Sequence, residues 1–345
     1  MDYPPSPCPL SSPPYSPYPP PPPAVYSPPS PPPADPLDVD EFPLATHPKI
    51  WTALQFIELV KAVTLTSQFD PEDLANFLNP QEHDSTPPDD PNLRLSLLNF
   101  ISLIGSSQDT YKAVHQNTQQ TLPGIDLLSF YRAERCTQTL TGVVSWEHHM
   151  CTNSCIGFTG PYMHLESCPH CGEPCYNQKE LTESDGLRKV PRKVFTTFPI
   201  GPQLQAHWKH PQTARDMFYQ WEKTEELLNE HMATGESPGL YDDILCGDTY
   251  LGLVDDGKLN KHDSVLMLSI DGVQLYKSKV SDVWIYIWIL LDLVPEKYYK
   301  IRTILPGGII PGPDAPGDLD SFLFPGLSHL FALQKEGLPI WDAHH

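Results

Sequence analysis

Two sets of side chains in this sequence could do chemistry. The first is "CTNSCIGFTGPYMHLESCPHCGEPC", which holds Cys151, Cys155, Cys168, Cys171 and Cys175 in the spacing C-x3-C-x12-C-x2-C-x3-C. Two close cysteine pairs a dozen residues apart can offer four thiolates to one tetrahedral zinc ion. Cys151, Cys155, Cys168 and Cys171 are the expected ligands. Cys175 is a spare, and His148, His149, His164 and His170 are possible substitutes. The plainer alternative is a set of reduced cysteines without metal. A closed four-ligand site leaves no position for substrate, so its role would be structural. The second set centres on Asp271, in "VLMLSIDGVQLY" (265–276), a carboxylate inside an apolar run. Burying such a group is costly unless it is paired or binds a metal. Alone, Asp-Gly after an apolar run reads most simply as a strand-end turn.

The elements that must position these groups follow from the pattern. Runs 265–276, 283–294 and 298–305 read as strands with short connections, hence antiparallel. "PGGIIPGPDAPGD" between the third strand and the next helix reads as an irregular loop. Residues 318–337 read as a helix, with Pro325 near its first turns and Gly337 as its stop. Upstream, 50–63, 70–78 and 89–105 have helical starts or spacing, with "DSTPPDDP" as a loop. Residues 212–232 read as one helix with Ala214, Met217, Phe218, Trp221, Leu228 and Met232 on its buried face.

Composition bounds the rest. Of 41 prolines in the 345-residue chain, 18 fall in residues 1–40, which lack Lys and Arg. Such a segment cannot bury enough apolar surface to offset the entropy of ordering. It reads as a disordered tail of polyproline II character, solvated or a ligand for aromatic-grooved modules. The expected organisation is a tail (1–45), a helical region (46–130), a zinc-binding segment (131–200) and an α/β region (201–345).

Net charge is −21, from 43 acids and 22 bases. That argues against a simple nucleic-acid coat, since phosphate binding leans on Lys and Arg. The compact basic run "RKVPRK" (Arg188, Lys189, Arg192, Lys193) reads equally as a solvated loop or as a phosphate contact or nuclear address. No secretion signal is visible, and 283–294 is too short to span a bilayer. The expected location is nuclear or cytoplasmic, where cysteines more often bind metal than form disulfides.

An acid on a first strand, followed by two antiparallel strands and a helix, fits the RNase H-like order. "TTFPIGPQLQAHW" (196–208), "YDDILCGDTYL", "DSVLMLSIDGVQLYKSKVSDVWIYIWILLDLVPEKYYK", "LPGGIIPGPDAPGDLDSFLFPGL" and "ALQKEGLPIWDA" resemble the transposases of CACTA-type (En/Spm-like) DNA transposons in their basidiomycete form. "CPHCGEPCY" resembles that family's zinc-binding segment, with Cys175 where the family usually has Arg. The resemblance covers roughly residues 130–345.

It implies an RNase H-like cut-and-paste DDE transposase, in which magnesium or manganese held by carboxylates activates a water or a DNA 3′-hydroxyl. Asp271 would be the first metal-binding acid, and Asp342, in "WDA", a weak alternative for the second. The family's later Asp and Glu lie beyond "WDAHH". The expected fold is therefore mixed α/β: an incomplete RNase H-like fold of three antiparallel strands plus a helix, behind a zinc-ribbon-like segment and a helical region. The third strand's outer edge would be left unpaired. The expected partners are transposon DNA and a fuller transposase copy, with no membrane and no small-molecule substrate. The alternatives are a non-catalytic zinc-dependent DNA- or protein-binding module and a non-functional transposon remnant. Asp263, Asp282, Asp292, Asp318 and Asp320 read as turn or cap residues, and Asp242 and Asp243 as caps or solvated acids.

Overall fold

The structure is a computed structural model that describes residues 47–80, 89–235, 241–274, 282–312 and 314–345. The proline-rich tail, most of "DSTPPDDP" and most of the "KSKVSD" turn lie outside the described residues. The chain divides into two compact units, and α1 (Pro48–Ala62) and α2 (Pro71–Leu78) belong with the sheet rather than with the next helices. Among the described residues no helix is long and apolar enough to cross a membrane.

The smaller unit, described over 89–143, holds α3 (Pro91–Ser102), α4 (Gln108–Thr121) and α5 (Phe130–Thr141). Asp90 and Ser107 cap α3 and α4 by accepting first-turn amides. Phe100, Tyr111 and Phe130 meet ring to ring at the centre. The α5 helix falls where the zinc segment was expected to begin.

The larger unit is built on five antiparallel strands. They are β1 (Trp146–His149), β2 (Val194–Thr197), β3 (Leu266–Gln274), β4 (Asp282–Leu290) and β5 (Ile304–Pro311), in the spatial order β1-β2-β5-β4-β3. The helices α6 (Gln178–Glu183), α7 (Ile200–Trp208), α8 (Pro211–Asp216), α9 (Tyr219–Thr234), α10 (Asp248–Asp255) and α11 (Leu319–Glu336) surround it. Strand alternation puts Trp284, Tyr286 and Trp288 on the face that α11 covers. There Tyr286 meets Gly326, and Phe195 of β2 packs against Phe322. The motif "FPIGPQLQ" fixes α7 to this core. Buried Gln203 donates to the Pro306 carbonyl (2.9 Å), and buried Gln205 donates to those of Phe77 and Pro339 (both 2.8 Å).

Three expectations need correction. The third strand is Ile304–Pro311, so "PGGIIP" is strand and not loop, while 295–297 form a short helical turn. Its glycines are strand residues because Tyr286 occupies the space a side chain would take. The outer edge of β5 is not unpaired: β2 pairs with it through Thr196–Ile309 and Thr197–Gly308. The edge strands among the described residues are β1 and β3.

Residues 212–232 form two helices, broken at Met217 and Phe218, which lie between α8 and α9. Along α9 the buried face is Gln220, Thr224 and Leu227, and Met232 is 75% exposed. A hidden polar contact explains the shift: Gln220 and Thr224 both bond the Tyr250 hydroxyl. Asp292, by contrast, lies in a turn as expected and caps a neighbouring backbone N–H from inside the fold. It is buried, accepts the Val265 N–H at 3.1 Å, and burial pushes its carboxyl up to about 7.

Candidate metal centre

Each cysteine pair sits at the tip of a small hairpin. An isolated bridge between Met150 and Gly157 brackets Cys151 and Cys155; another between Ser167 and Pro174 brackets Cys168 and Cys171. The first tip turns through Ser154 at φ 56°, whose N–H donates to the Cys151 carbonyl at 3.0 Å. The second turns through Gly172 at φ 76°, whose N–H donates to the Cys168 carbonyl at 2.8 Å. That left-handed conformation is why glycine follows the fourth cysteine.

The four sulfurs lie within 4.8 Å of one another, with Cys151 and Cys171 at 3.4 Å. Four thiolates at 2.3 Å from a tetrahedral zinc would be about 3.8 Å apart. The donor set and its spread therefore fit zinc. None of the four is in a disulfide. Burial raises the Cys155 and Cys168 thiols, whereas the Glu173 backbone amide lowers Cys171 to about 7. A divalent cation offsets the cost of gathering thiolates and deprotonates its ligands.

The spare and the substitutes stay outside this cluster. Cys175 lies one residue past the second bridge, where burial pushes its thiol up to about 12. His148 is half-buried on β1, bonds the Thr197 hydroxyl at 2.8 Å and is pulled down to about 3 by desolvation. The His149 ring rests edge-on against Tyr176, and His164 and His170 are exposed.

The first hairpin grips the start of α11, which the sequence reading did not anticipate. Cys155 accepts the Asp318 N–H (2.8 Å) and Ser154 that of Gly317 (2.9 Å). Gly157 donates to the Ser321 hydroxyl (2.8 Å), and the Tyr162 hydroxyl donates to Asp318 (2.7 Å). Lys193 closes the joint by donating to the Thr152 carbonyl, the Ser154 hydroxyl and the Gly312 carbonyl, at 3.2, 3.2 and 2.5 Å.

The rest of the basic run is also engaged internally. Arg188 pairs with Glu180 (2.9 Å), Lys189 with Glu166 (2.6 Å) and Arg192 with Glu173 (2.5 Å). These pairs are exposed enough to exchange for other anions at small cost. Lys193 is not, because all three of its acceptors hold the fold together.

Asp271 stands on β3, exposed, opposite Ile285. Its Oδ1 accepts the N–H of Gly272 at 2.8 Å. Asp342 accepts the His344 N–H in a turn at 2.8 Å. Neither joins a metal-holding group, since the four cysteines form the one such group among the described residues. Asp243 has more than a cap's work: it accepts the hydroxyls of Tyr219 (2.8 Å) and Tyr298 (3.1 Å), tying α9 to the segment after β4. No family model, curated protein or solved structure matches this chain.

Proposed function

We propose that this chain is a zinc-stapled core of a DDE-type DNA transposase of the CACTA kind. The observation that carries the reading is the arrangement β3-β4-β5 then α11, three antiparallel strands and a covering helix, with an acid exposed on the first strand. That is the order in which an RNase H-like nuclease begins. The motifs that resemble the family occupy the load points of the same unit: Gln203 and Gln205 in "FPIGPQLQ", Gly308 in "PGG" and Asp243 in "YDD". The hairpin-borne cysteines match the zinc-ribbon-like segment, with zinc as a structural ion.

Asp271 would hold a magnesium or manganese ion through its free oxygen. Because it shares no metal-holding group with other carboxylates among the described residues, a two-metal site would need acids from another segment or chain. DNA is the substrate in this reading.

A second reading has its own observation. Asp271 joins no metal-holding group among the described residues, which suits a zinc-dependent DNA- or protein-binding module that does no chemistry. Fluorescence anisotropy with labelled duplex DNA separates the two. The transposase reading expects a magnesium-dependent part of binding that Asp271→Asn removes. Binding that is lost with a zinc chelator and unchanged in Asp271→Asn supports the module and sinks the enzyme.

A further inference from the structure

The cysteine cluster has one open side. Cys151 and Cys168 are buried and Cys155 is half-buried, whereas Cys171 is exposed at the tip of the second hairpin. Attack by oxidants follows thiolate character and exposure, so Cys171 is the ligand that a dissolved oxidant reaches first. The Cys151 sulfur, on the first hairpin, stands 3.4 Å from it. A disulfide bond is about 2.05 Å long, so a small shift of the two tips would join them.

The first hairpin is also the anchor of α11. Among the described residues Asp318, at the helix entry, makes no side-chain cap to the first turn; its carboxylate accepts the Tyr162 hydroxyl instead. The hairpin supplies the hold. The Ser154 and Cys155 carbonyls accept the N–H groups of Gly317 and Asp318, at 2.9 and 2.8 Å. Ser321 accepts the Gly157 N–H on its hydroxyl and the Thr159 hydroxyl on its carbonyl. Gly317 lies so close that a side chain there would stand 2.9 Å from the Cys155 carbonyl oxygen. Cys155 is therefore a sulfur ligand and a backbone anchor at once, and a change at its sulfur reaches the start of α11 directly. Farther along, Phe322 and Gly326 pack on Phe195 and Tyr286, independently of the hairpin tip.

We infer that the cluster is a peroxide-sensitive switch, with Cys171 as its sensing thiolate, Cys151 as the resolving thiolate and the entry to α11 as its output; this rests on the zinc-binding part of the proposed function and not on its DNA chemistry. The Cys171 thiolate attacks one oxygen of a hydroperoxide and the O–O bond breaks. Cys171 becomes a sulfenic acid, and the departing oxygen takes a proton and leaves as water or an alcohol. The Cys151 thiolate then attacks the Cys171 sulfur, the S–O bond breaks, and the hydroxide takes a proton and leaves as water. The two sulfurs give up two electrons, which the peroxide gains. Two of the four ligands are spent in the disulfide, and Cys155 and Cys168 alone make no closed tetrahedral site. Cys155 is freed, and with it the carbonyl that holds Asp318.

The test adds hydrogen peroxide stepwise to the zinc-loaded full chain. A coloured chelator follows zinc release, peptide mass mapping finds the disulfide, and amide exchange reads the entry to α11. Zinc is expected to be released in step with a Cys151–Cys171 disulfide. Exchange at Gly317 and Asp318 should quicken several-fold while β4 stays protected, and a thiol reductant with fresh zinc should reverse all three changes. Cys171→His offers a nitrogen ligand in place of the sulfur and is expected to keep zinc through the same additions. If that variant takes up no zinc, the wild-type disulfide map and exchange decide. Zinc retained under peroxide, a disulfide between another pair of cysteines, or zinc release with unchanged exchange at Gly317 and Asp318 overturns the switch. A wild-type chain that takes up no zinc overturns the zinc reading itself, and the switch with it.

Discussion

Tyr286 on β4 lies directly across the ladder from Gly308 on β5, and a side chain on Gly308 would occupy the space of the tyrosine ring. Gly326 of α11 closes on the same side chain, so the ring is held between strand and helix with no exposed surface. Gly308→Ala should therefore destabilise the fold by about 1–3 kcal/mol through overpacking, measured by urea unfolding. The Tyr286 hydroxyl is buried without a hydrogen-bond partner among the described residues. Tyr286→Phe should leave stability unchanged or raise it by up to about 1 kcal/mol. A loss larger than that would show that the hydroxyl has a partner.

Zinc content is predicted residue by residue. The wild-type chain should bind one zinc, and Cys151→Ser or Cys168→Ser should lose it together with several degrees of thermal stability. Cys175→Ser should keep it, because that thiol lies outside the hairpin tip. Colorimetric zinc release with a thiol reagent measures all three. Loss of zinc in Cys175→Ser would move the fourth ligand.

The basic run should divide into two kinds of residue. Lys193→Met leaves three polar groups without their donor and should cost about 1–3 kcal/mol, with zinc still bound. Arg188→Ala and Lys189→Ala break exposed pairs and should stay within about 0.5 kcal/mol. Thermal unfolding of the zinc-loaded proteins compares them. Equal effects would remove Lys193 from its anchoring role.

Acid sensitivity follows from three desolvated groups, of which His329 and Asp292 are buried and His148 half-buried. His148 and His329 are neutral in the fold, pulled down to about 3 by burial. His329 bonds Gln68 at 2.9 Å and accepts the Gly201 N–H at 3.2 Å. Below their ordinary value of 6.5 the unfolded chain takes protons that the folded chain does not, so stability falls as pH drops from 6.5 toward 3. Asp292 acts in the opposite sense. Its folded value is raised from 3.8 to about 7, so its contribution is full below 3.8 and is lost as pH rises toward 7. Where those windows overlap, two histidines oppose one aspartate, which leaves a net loss of stability on acidification with the slope of about one proton. Asp292→Asn should roughly double that slope. Urea unfolding at stepped pH measures it, and an unchanged slope would contradict the assignment of Asp292.

How much of this was legible depended on how local the determinants were. The helix starts at Asp70 and Asp90 were readable because a cap and the proline after it act within one turn. The cysteine cluster was readable from spacing alone. The position of β5 was not: two consecutive glycines signal a turn locally, and only the Tyr286 ring across the ladder makes them strand residues. The buried face of α9 was misread because Gln220 and Thr224 look solvent-facing until Tyr250, about 26 residues on, supplies their partner. Strands β1 and β2 were missed because each is four residues long and pairs with segments far away.

Under the proposed function, Asp271 would hold a divalent cation on a DNA-processing fold. Manganese titration of the isotopically labelled chain, read at the Gly272 amide, tests it most directly. The account predicts paramagnetic broadening of Gly272 at millimolar manganese that Asp271→Asn abolishes. A Gly272 signal that persists while other acidic segments broaden would contradict it.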